Sequence, residues 1–417
     1  MEKQKKKILI ISDSPLAPSG VGTQTKYMIE GLLRTGEFSV VCLAGALRHP
    51  DYRIQKVDPY EDDWLIYPVD GYGSPEVVRT ILAQHRPDIV WFMTDPRFYV
   101  WLWDMEDEIR KNVPMVYYHV WDNYPYPTYN KKYYDSNDVI ATISKVTDDI
   151  VRNVSPDVEV VRIPHTVDTN IFKKRDPEET NHLIKILNAE NKTVFFWNNR
   201  NARRKQSGTL IFWFKEFLDI VGHEKAVLCM HTEPKDPHGQ DLEAIIKELG
   251  LEGKVLLSTE KVSSLELSKV YSLVDCTINI SDAEGFGLST LESLACETPV
   301  IVNMTGGLQE QVTNGTDWFG IGIEPSSKAI IGSQEVPWIY EDRINKQDFL
   351  DAMIKFCNLE KIERDKMGAN GRKHVLTQYG LSKYHGNWYQ LMNSVYEKHG
   401  SWENRKNYKQ WELMEIV

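Results

Sequence analysis

Two glutamates eight positions apart, Glu284 and Glu292, stand in the run Ile280-Ser281-Asp282-Ala283-Glu284-Gly285-Phe286-Gly287-Leu288-Ser289-Thr290-Leu291-Glu292. A strand candidate ends there, a Gly-containing turn follows, and a helical pattern begins. Eight residues along a helix is a little over two turns, which puts Glu292 on the same side as the loop end. Such a loop can turn backbone N–H groups toward a diphosphate while the carboxylates, which only accept hydrogen bonds, take sugar or ribose hydroxyls. Two acids at a helix N-terminus also complement the helix dipole, and spacing alone does not choose between these readings. A second stretch, Asn198-Asn199-Arg200-Asn201-Ala202-Arg203-Arg204-Lys205, follows another strand candidate and holds four cations within six residues. Cations at a strand's carboxyl end suit a diphosphate; a solvated basic loop is the other reading. A third, Ser12 to Thr23, puts Gly20 and Gly22 before a helix, as a phosphate-binding turn or simply a tight one. Neither the dinucleotide GxGxxG nor the P-loop GxxxxGK[ST] is completed there.

These loops need elements to hold them. Short apolar runs alternate with helical patterns along the chain: Ile8–Ile11, Ser39–Leu43, Ile89–Met93, Met115–His119, Val139–Ile143 and Glu159–Ile163, then Val194–Trp197, Ala226–Met230, Val255–Leu257, Thr277–Ile280 and Val300–Val302. Ser74 with Pro75 opens one helix, and the capping box Ser263-Ser264-Leu265-Glu266 opens another. Continuous apolar strands separated by helices predict α/β architecture with parallel sheets covered on both faces. After Val302 the strand pattern fades and helical patterns dominate, with 318–340 fitting no element. A linker is expected near Asn170–Glu179.

At 417 residues the chain exceeds what one core usually serves, so two domains are expected. The formal charge of -11 does not steer the whole chain to nucleic acid or anionic lipid. The five cysteines are scattered with no CxxC, which reads as small buried residues rather than a disulfide framework or a zinc site. His231 and Glu233 read as part of an inert loop, since two ligands do not make a metal site. The basic run at Lys3–Lys7 leads into only four apolar residues, too few for a signal segment or a membrane span. A cytoplasmic address is the expectation.

The run Ser281-x-x-Glu284-Gly285-Phe286-Gly287-Leu288-x-x-x-Glu292-x-x-Ala295-x-x-x-Pro299-Val300-Ile301 resembles the signature of the retaining glycosyltransferases of the GT-B fold, family 4. Gly20 to Gly22, Ile163-Pro164-His165-Thr166-Val167-Asp168, Arg200 with Lys205, and Thr305-Gly306-Gly307 are similar to the same family. The resemblance implies two Rossmann-like doubly wound domains facing across a cleft. They would be an acceptor domain (1–172) and a nucleotide-sugar donor domain (173–378), with a helical segment (379–417) returning to the first. It implies that Glu292 binds the donor ribose and Glu284 holds hydroxyls of the transferred sugar. Gly285 belongs to that loop, and Phe286, Gly287 and Leu288 offer backbone N–H groups. Arg200 and Lys205 would neutralise the diphosphate, Gly22 beside Gly20 would let the first helix approach the phosphate, and His119 stands where the family has a donor-sugar histidine. Retention without a metal ion or other cofactor is implied as well. The sequence departs from the family at His165-Thr166, where Asn-Gly is usual, and at Met230-His231-Thr232-Glu233-Pro234, where a Gly-rich turn is usual.

The resemblance leaves the nucleotide, sugar, acceptor and oligomeric state open. The first half is rich in aromatics, among them Trp91, Phe98, Trp101, Trp103, Tyr117, Tyr118, Trp121, Tyr126 and Tyr134. Beside Arg97, Lys131 and Lys132 they suit sugar stacking or a modified DNA base, or else core packing, the more common use. Rival readings are an epimerase or phosphorylase on the same architecture, or a non-catalytic nucleotide-sugar-binding protein. A dehydrogenase is disfavoured by the incomplete glycine fingerprint.

Overall fold

The computed structural model describes residues 4–187 and 190–410. The chain divides into two compact units, Met1–His165 with Leu381–Val417, and Thr166–Gly380. Lys3 of the basic run and the last residues of the expected 379–417 segment lie outside the described residues.

The first unit is built on strands β1 (Lys6–Asp13), β2 (Phe38–Gly45), β3 (Gln55–Val57), β4 (Glu61–Pro68), β5 (Ile89–Met93), β6 (Met115–His119), β7 (Val139–Thr142) and β8 (Glu159–Arg162). Their order in the sheet is β3-β4-β2-β1-β5-β6-β7-β8. β3 runs antiparallel to β4, and the other pairs are parallel. β1, β2, β5 and β6 are nearly continuous apolar runs because helices cover both faces. The sequence reading misses β3 and β4. β4 starts in Glu61-Asp62-Asp63 and its burial alternates, as befits a strand near a sheet edge.

The aromatics of this unit mostly build its core: Trp91, Tyr117, Tyr118 and Tyr134 are fully buried, while Phe98 and Tyr126 are exposed. The helix Leu381–His399 belongs here too, setting Trp388 edge-on against Trp91 and Tyr118.

The second unit repeats the plan with β9 (Thr193–Asn198), β10 (Ala226–His231), β11 (Val255–Ser258), β12 (Cys276–Asn279), β13 (Val300–Asn303) and β14 (Gly320–Ile323), ordered β11-β10-β9-β12-β13-β14 and wholly parallel. A further antiparallel pair, β15 (Ser327–Ile331) and β16 (Ile339–Arg343), forms its own two-stranded ribbon. The expected fading of strands after Val302 is thus corrected by three strands. β14 escapes a pattern search because Gly320 and Gly322 dilute its apolar signal. Gly320 is required there, since a Cβ would stand 2.0 Å from the Val300 carbonyl oxygen.

The stretch expected as an exposed linker is mostly exposed, and it is tied to the helix Ser264–Leu273 where Lys174 Nζ donates to the Ser272 carbonyl (2.9 Å) and Arg175 Nε to Ser268 Oγ (2.9 Å). The units divide at 165/166 and 380/381 rather than at 172/173 and 378/379. Four cysteines are buried, Cys357 is half-buried, and none is bonded to another.

Candidate functional site at the edge of the second sheet

In a doubly wound sheet, ligands sit beyond the carboxyl ends of the strands where the strand order reverses. In the second unit that point lies between β9 and β12. The basic stretch leaves β9 there and the glycine loop leaves β12, so two of the three motifs emerge side by side.

The basic stretch is organised by Asn201, which is fully buried. Its amide donates to the Pro234 carbonyl (3.2 Å) and the Gln240 carbonyl (2.7 Å), and its oxygen accepts from Ser207 Oγ (2.7 Å). A 3-10 turn, Arg203–Lys205, then delivers Lys205 into the interior, and the helix Ser207–Val221 begins. Lys205 Nζ forms a buried ion pair with Glu284 Oε2. Arg204 donates to the Ala283 carbonyl, and Asp282 N–H donates back to the Arg204 carbonyl at 2.8 Å. Burial pushes the Glu284 carboxyl up, but Lys205 first and then Arg204 outweigh it, leaving the pKa below the ordinary value. Glu284 is therefore a held anion.

Arg200 lies apart from this pair. Its guanidinium forks onto Asp236, Nε to Oδ2 at 2.6 Å and Nη2 to Oδ1 at 3.1 Å, and 61% of the side chain is exposed. Solvent around the Arg200 side chain screens this pair, so the guanidinium can turn to another anion at little cost.

Glu284 stands in the loop, and the helix starts four residues later as Leu288–Ala295, capped by Gly287 in the left-handed region (φ 90°). The two glutamates therefore do not share a helix, and the first turn of that helix carries no acid. The N–H groups of Leu288, Ser289 and Thr290 have no acceptor within the helix, as at any helix start. The loop is clamped from behind. Gly307 N–H donates to the Glu284 carbonyl (3.1 Å), and Gln311 Nε2 to the Phe286 carbonyl (2.6 Å). A Cβ on Gly307 would stand 2.6 Å from Phe286 Cα and 2.8 Å from the Gly285 oxygen, so the Gly306-Gly307 turn fits only without a side chain.

Glu292, in the second turn of the helix, accepts from the Tyr271 hydroxyl at 3.0 Å, and Tyr271 in turn accepts from Asn198 Nδ2 at 2.9 Å. Burial raises the Glu292 carboxyl to about 7, with the Tyr271 hydrogen bond pulling the other way. Asp282, which accepts from Gln206 Nε2 at 2.6 Å, is raised by burial to about 6.

Gly20, Gly22 and His119 belong to the first unit, at the carboxyl ends of β1 and β6. Gly20 opens the helix Gly20–Leu33, capped by Ser19, whose Oγ accepts from Gly22 N–H (3.0 Å) and donates to Asp13 (2.7 Å). A Cβ on Gly22 would lie 2.5 Å from the Ser14 carbonyl oxygen, so this glycine serves the close folding of its own loop. His119 is fully buried with both ring nitrogens engaged, Nδ1 with Tyr117 Oη at 3.0 Å and Nε2 with Tyr134 Oη at 2.7 Å. Burial drops its pKa to about 3. The ring is neutral and sealed between tyrosines as the structure stands.

Sequence reasoning misses Tyr271, Asn201, Asp236 and Arg204's carbonyl contact. All except Arg204 lie outside the quoted motifs or were passed over as spacers, and no local spacing links them to the residues they hold. Among the described residues there is no group of three or more His, Cys, Asp or Glu side chains placed to hold a metal ion, and no helix is long and apolar enough to cross a membrane.

The sequence model of the family described as "Glycosyl transferases group 1" matches residues 179–374, all within the second unit. The chain is 24% identical over 182 residues to N-acetyl-alpha-D-glucosaminyl L-malate synthase of Bacillus anthracis, covering 43% of this chain and 45% of that relative. The chain thus spans less than half the length of this curated relative. Among solved structures, sucrose-phosphate synthase from Thermosynechococcus elongatus superposes with a TM-score of 0.75 at 16% identity, over 94% of this chain and 100% of that one. Anabaena Alr3699/HepE in complex with UDP and glucose gives 0.70 at 16% identity, over 93% and 100%. At such identities the structural likeness speaks for the fold: two Rossmann-like domains of the GT-B kind. Over residues 179–374, with the loops they carry, the chain is similar to the group 1 glycosyl transferases.

Proposed function

We propose that the chain transfers a glycosyl group from a nucleoside-diphosphate sugar to an acceptor hydroxyl, with the donor bound at the carboxyl edge of the second sheet. The observation that carries this reading is the buried Lys205–Glu284 pair at the switch point between β9 and β12, where a cationic loop and a glycine-capped helix start converge. A nucleoside-diphosphate sugar needs cationic partners for its phosphates, acceptors for sugar and ribose hydroxyls, and N–H donors at a helix start. Lys205 and Arg200 supply the first, Glu284 and Glu292 the second, and the turn from Gly285 to Leu288 the third.

In this reading Lys205 and Arg200 stabilise the charge that builds on the diphosphate as the anomeric C–O bond breaks. The acceptor oxygen attacks from the same face, its proton passing to a phosphate oxygen of the departing nucleotide, and the anomeric configuration is retained. Protein cations do the neutralising, without a metal ion or another cofactor. The mechanism is taken from the resemblance to the retaining family. A UDP complex of a structural neighbour supports a uridine nucleotide as the first donor to try. Exposed aromatic side chains of the first unit, Tyr52, Phe98 and Tyr126 among them, are available to meet an acceptor.

The test is binding of UDP, GDP and ADP, free and as their common sugars, to the wild type, Glu292→Ala and Lys205→Ala, followed by the anomeric configuration of the product. A nucleotide bound at a hundred times its dissociation constant stabilises the fold by about 2.7 kcal/mol. Loss of that shift in both variants is expected. Unchanged affinity in two folded variants would sink the site, and an inverted product would sink the mechanism. A requirement for inorganic phosphate, or turnover without an acceptor, would replace transfer with phosphorolysis or epimerisation.

A further inference from the structure

The ribbon β15–β16 is foreign to the doubly wound plan, and it does not join the main sheet. Its second strand nevertheless touches three of the loops at that sheet's carboxyl edge through two adjacent residues. Glu341 is fully buried and receives the Arg203 guanidinium, with Nη1 at 3.1 Å from Oε2, and Arg343 Nη2 at 2.9 Å. Arg203 is the first residue of the 3-10 turn that carries Lys205. Asp342 N–H donates to the Asp282 carbonyl at 2.9 Å, in the loop after β12. The Asp342 carbonyl accepts from Asn303 Nδ2 at 2.7 Å, and its carboxylate from Thr305 Oγ1 at 2.7 Å, both at the end of β13. Asn303 Nδ2 also reaches the Ser281 carbonyl at 2.9 Å. The loops leaving β9, β12 and β13 are thus tied to one dipeptide.

We propose that the ribbon is a strut for the donor site, with Glu341 and Asp342 as positioning residues that fix where Lys205 and Glu284 meet. Neither residue belongs to the set that binds the donor in the reading above, on which this inference rests. Glu341 acts through Arg203 and the turn behind it. Asp342 acts through the backbone of Asp282, two residues before Glu284. The physical reason for a strut is plain. Loops at a sheet edge lack ladder partners, and a site that must hold a diphosphate works only if its cations are fixed beforehand. A buried carboxylate gripped by two guanidiniums gives one such fixed point, and the loss of its charge leaves both arginines without their anion.

The test is backbone hydrogen exchange in the full chain, comparing wild type with Glu341→Gln and, from the loop side, Arg203→Gln. Amides of residues 199–206 and 281–287 are expected to exchange about tenfold faster in each variant, while β9 and β12 keep their protection. The double variant should be no faster than Glu341→Gln alone, because the charged Arg203–Glu341 contact is already lost there. Unchanged exchange in the two loops overturns the proposal, and so does an equal rise through β9 and β12, which signals general loosening. Affinity for whichever of UDP, GDP and ADP binds the wild type should fall about tenfold in Glu341→Gln at an unchanged melting temperature. Faster loop exchange with undiminished affinity overturns the role at the site. A wild type that binds none of the three overturns the donor reading instead, and exchange still decides whether the ribbon holds the loops.

Discussion

Glu292 carries its chemistry in its protonation state. Burial raises its carboxyl to about 7, so below that pH it is largely protonated and loses the acceptor capacity toward ribose hydroxyls that the proposed donor site asks of it. Nucleotide affinity should therefore rise from about pH 6 to about pH 8, and Tyr271→Phe, which removes the hydrogen bond favouring the anion, should move the midpoint upward. Titration calorimetry across that range checks both; affinity that is flat or that grows toward acid removes Glu292 from the donor site. The same shift has a stability side. A carboxyl raised in the fold contributes stability that is complete below its ordinary value and lost as pH rises through about 7. Glu284 is lowered, so its contribution stands above the ordinary carboxylate value and is lost as pH falls. Glu284, Glu292, Arg200 and Lys205 were legible because each sits in a local motif next to a strand end. Their partners were not: Tyr271 comes from a helix and Asp236 from a loop elsewhere in the chain, joined to them only by the fold. His119 shows the opposite limit. Its place at the end of β6 is readable, but Tyr117 on the same face and Tyr134 from a helix decide that both nitrogens are occupied.

Among the elements, the Gly306-Gly307 turn behind the loop sets its shape. Gly307 passes so close to Phe286 that even a methyl group must push the backbone. Gly307→Ala should displace the Glu284–Leu288 turn, destabilise the protein by about 1–3 kcal/mol, and weaken nucleotide binding. Thermal melts with and without UDP measure this, and an alanine variant matching wild type in both would show that the loop yields freely. The strands of both sheets were readable where helices cover both faces, because burial on two sides demands unbroken apolar runs. β4 alternates next to the edge strand β3, β14 spends its positions on glycine, and β15 and β16 carry charge on a ribbon outside the main sheet. In each case the physical demand on the residues differs from that on a central strand, and the pattern disappears with it.

At the scale of the whole molecule, the chain leaves the first unit at His165 and returns to it at Leu381. What it brings back is structural. Trp388 is fully buried against Trp91 and Tyr118, and the Tyr384 hydroxyl donates to the Gln24 carbonyl at 3.1 Å. Trp388→Ala should cost the first unit about 3–5 kcal/mol, seen as an earlier melting transition, while nucleotide binding by the second unit persists below it. Loss of nucleotide binding at temperatures where the variant is still folded would contradict that separation. The same connectivity orders events on the ribosome. Residues 166–380 are complete and can fold while the first sheet, though synthesised earlier, still lacks the helix that closes its core. At about 5–20 residues per second, the leading strands β1 to β8 wait on the order of ten seconds or more for Leu381–His399 to emerge. Of the two units, the one whose strands are made first is therefore the one finished last, and it is the one a chaperone would meet with apolar surface still open.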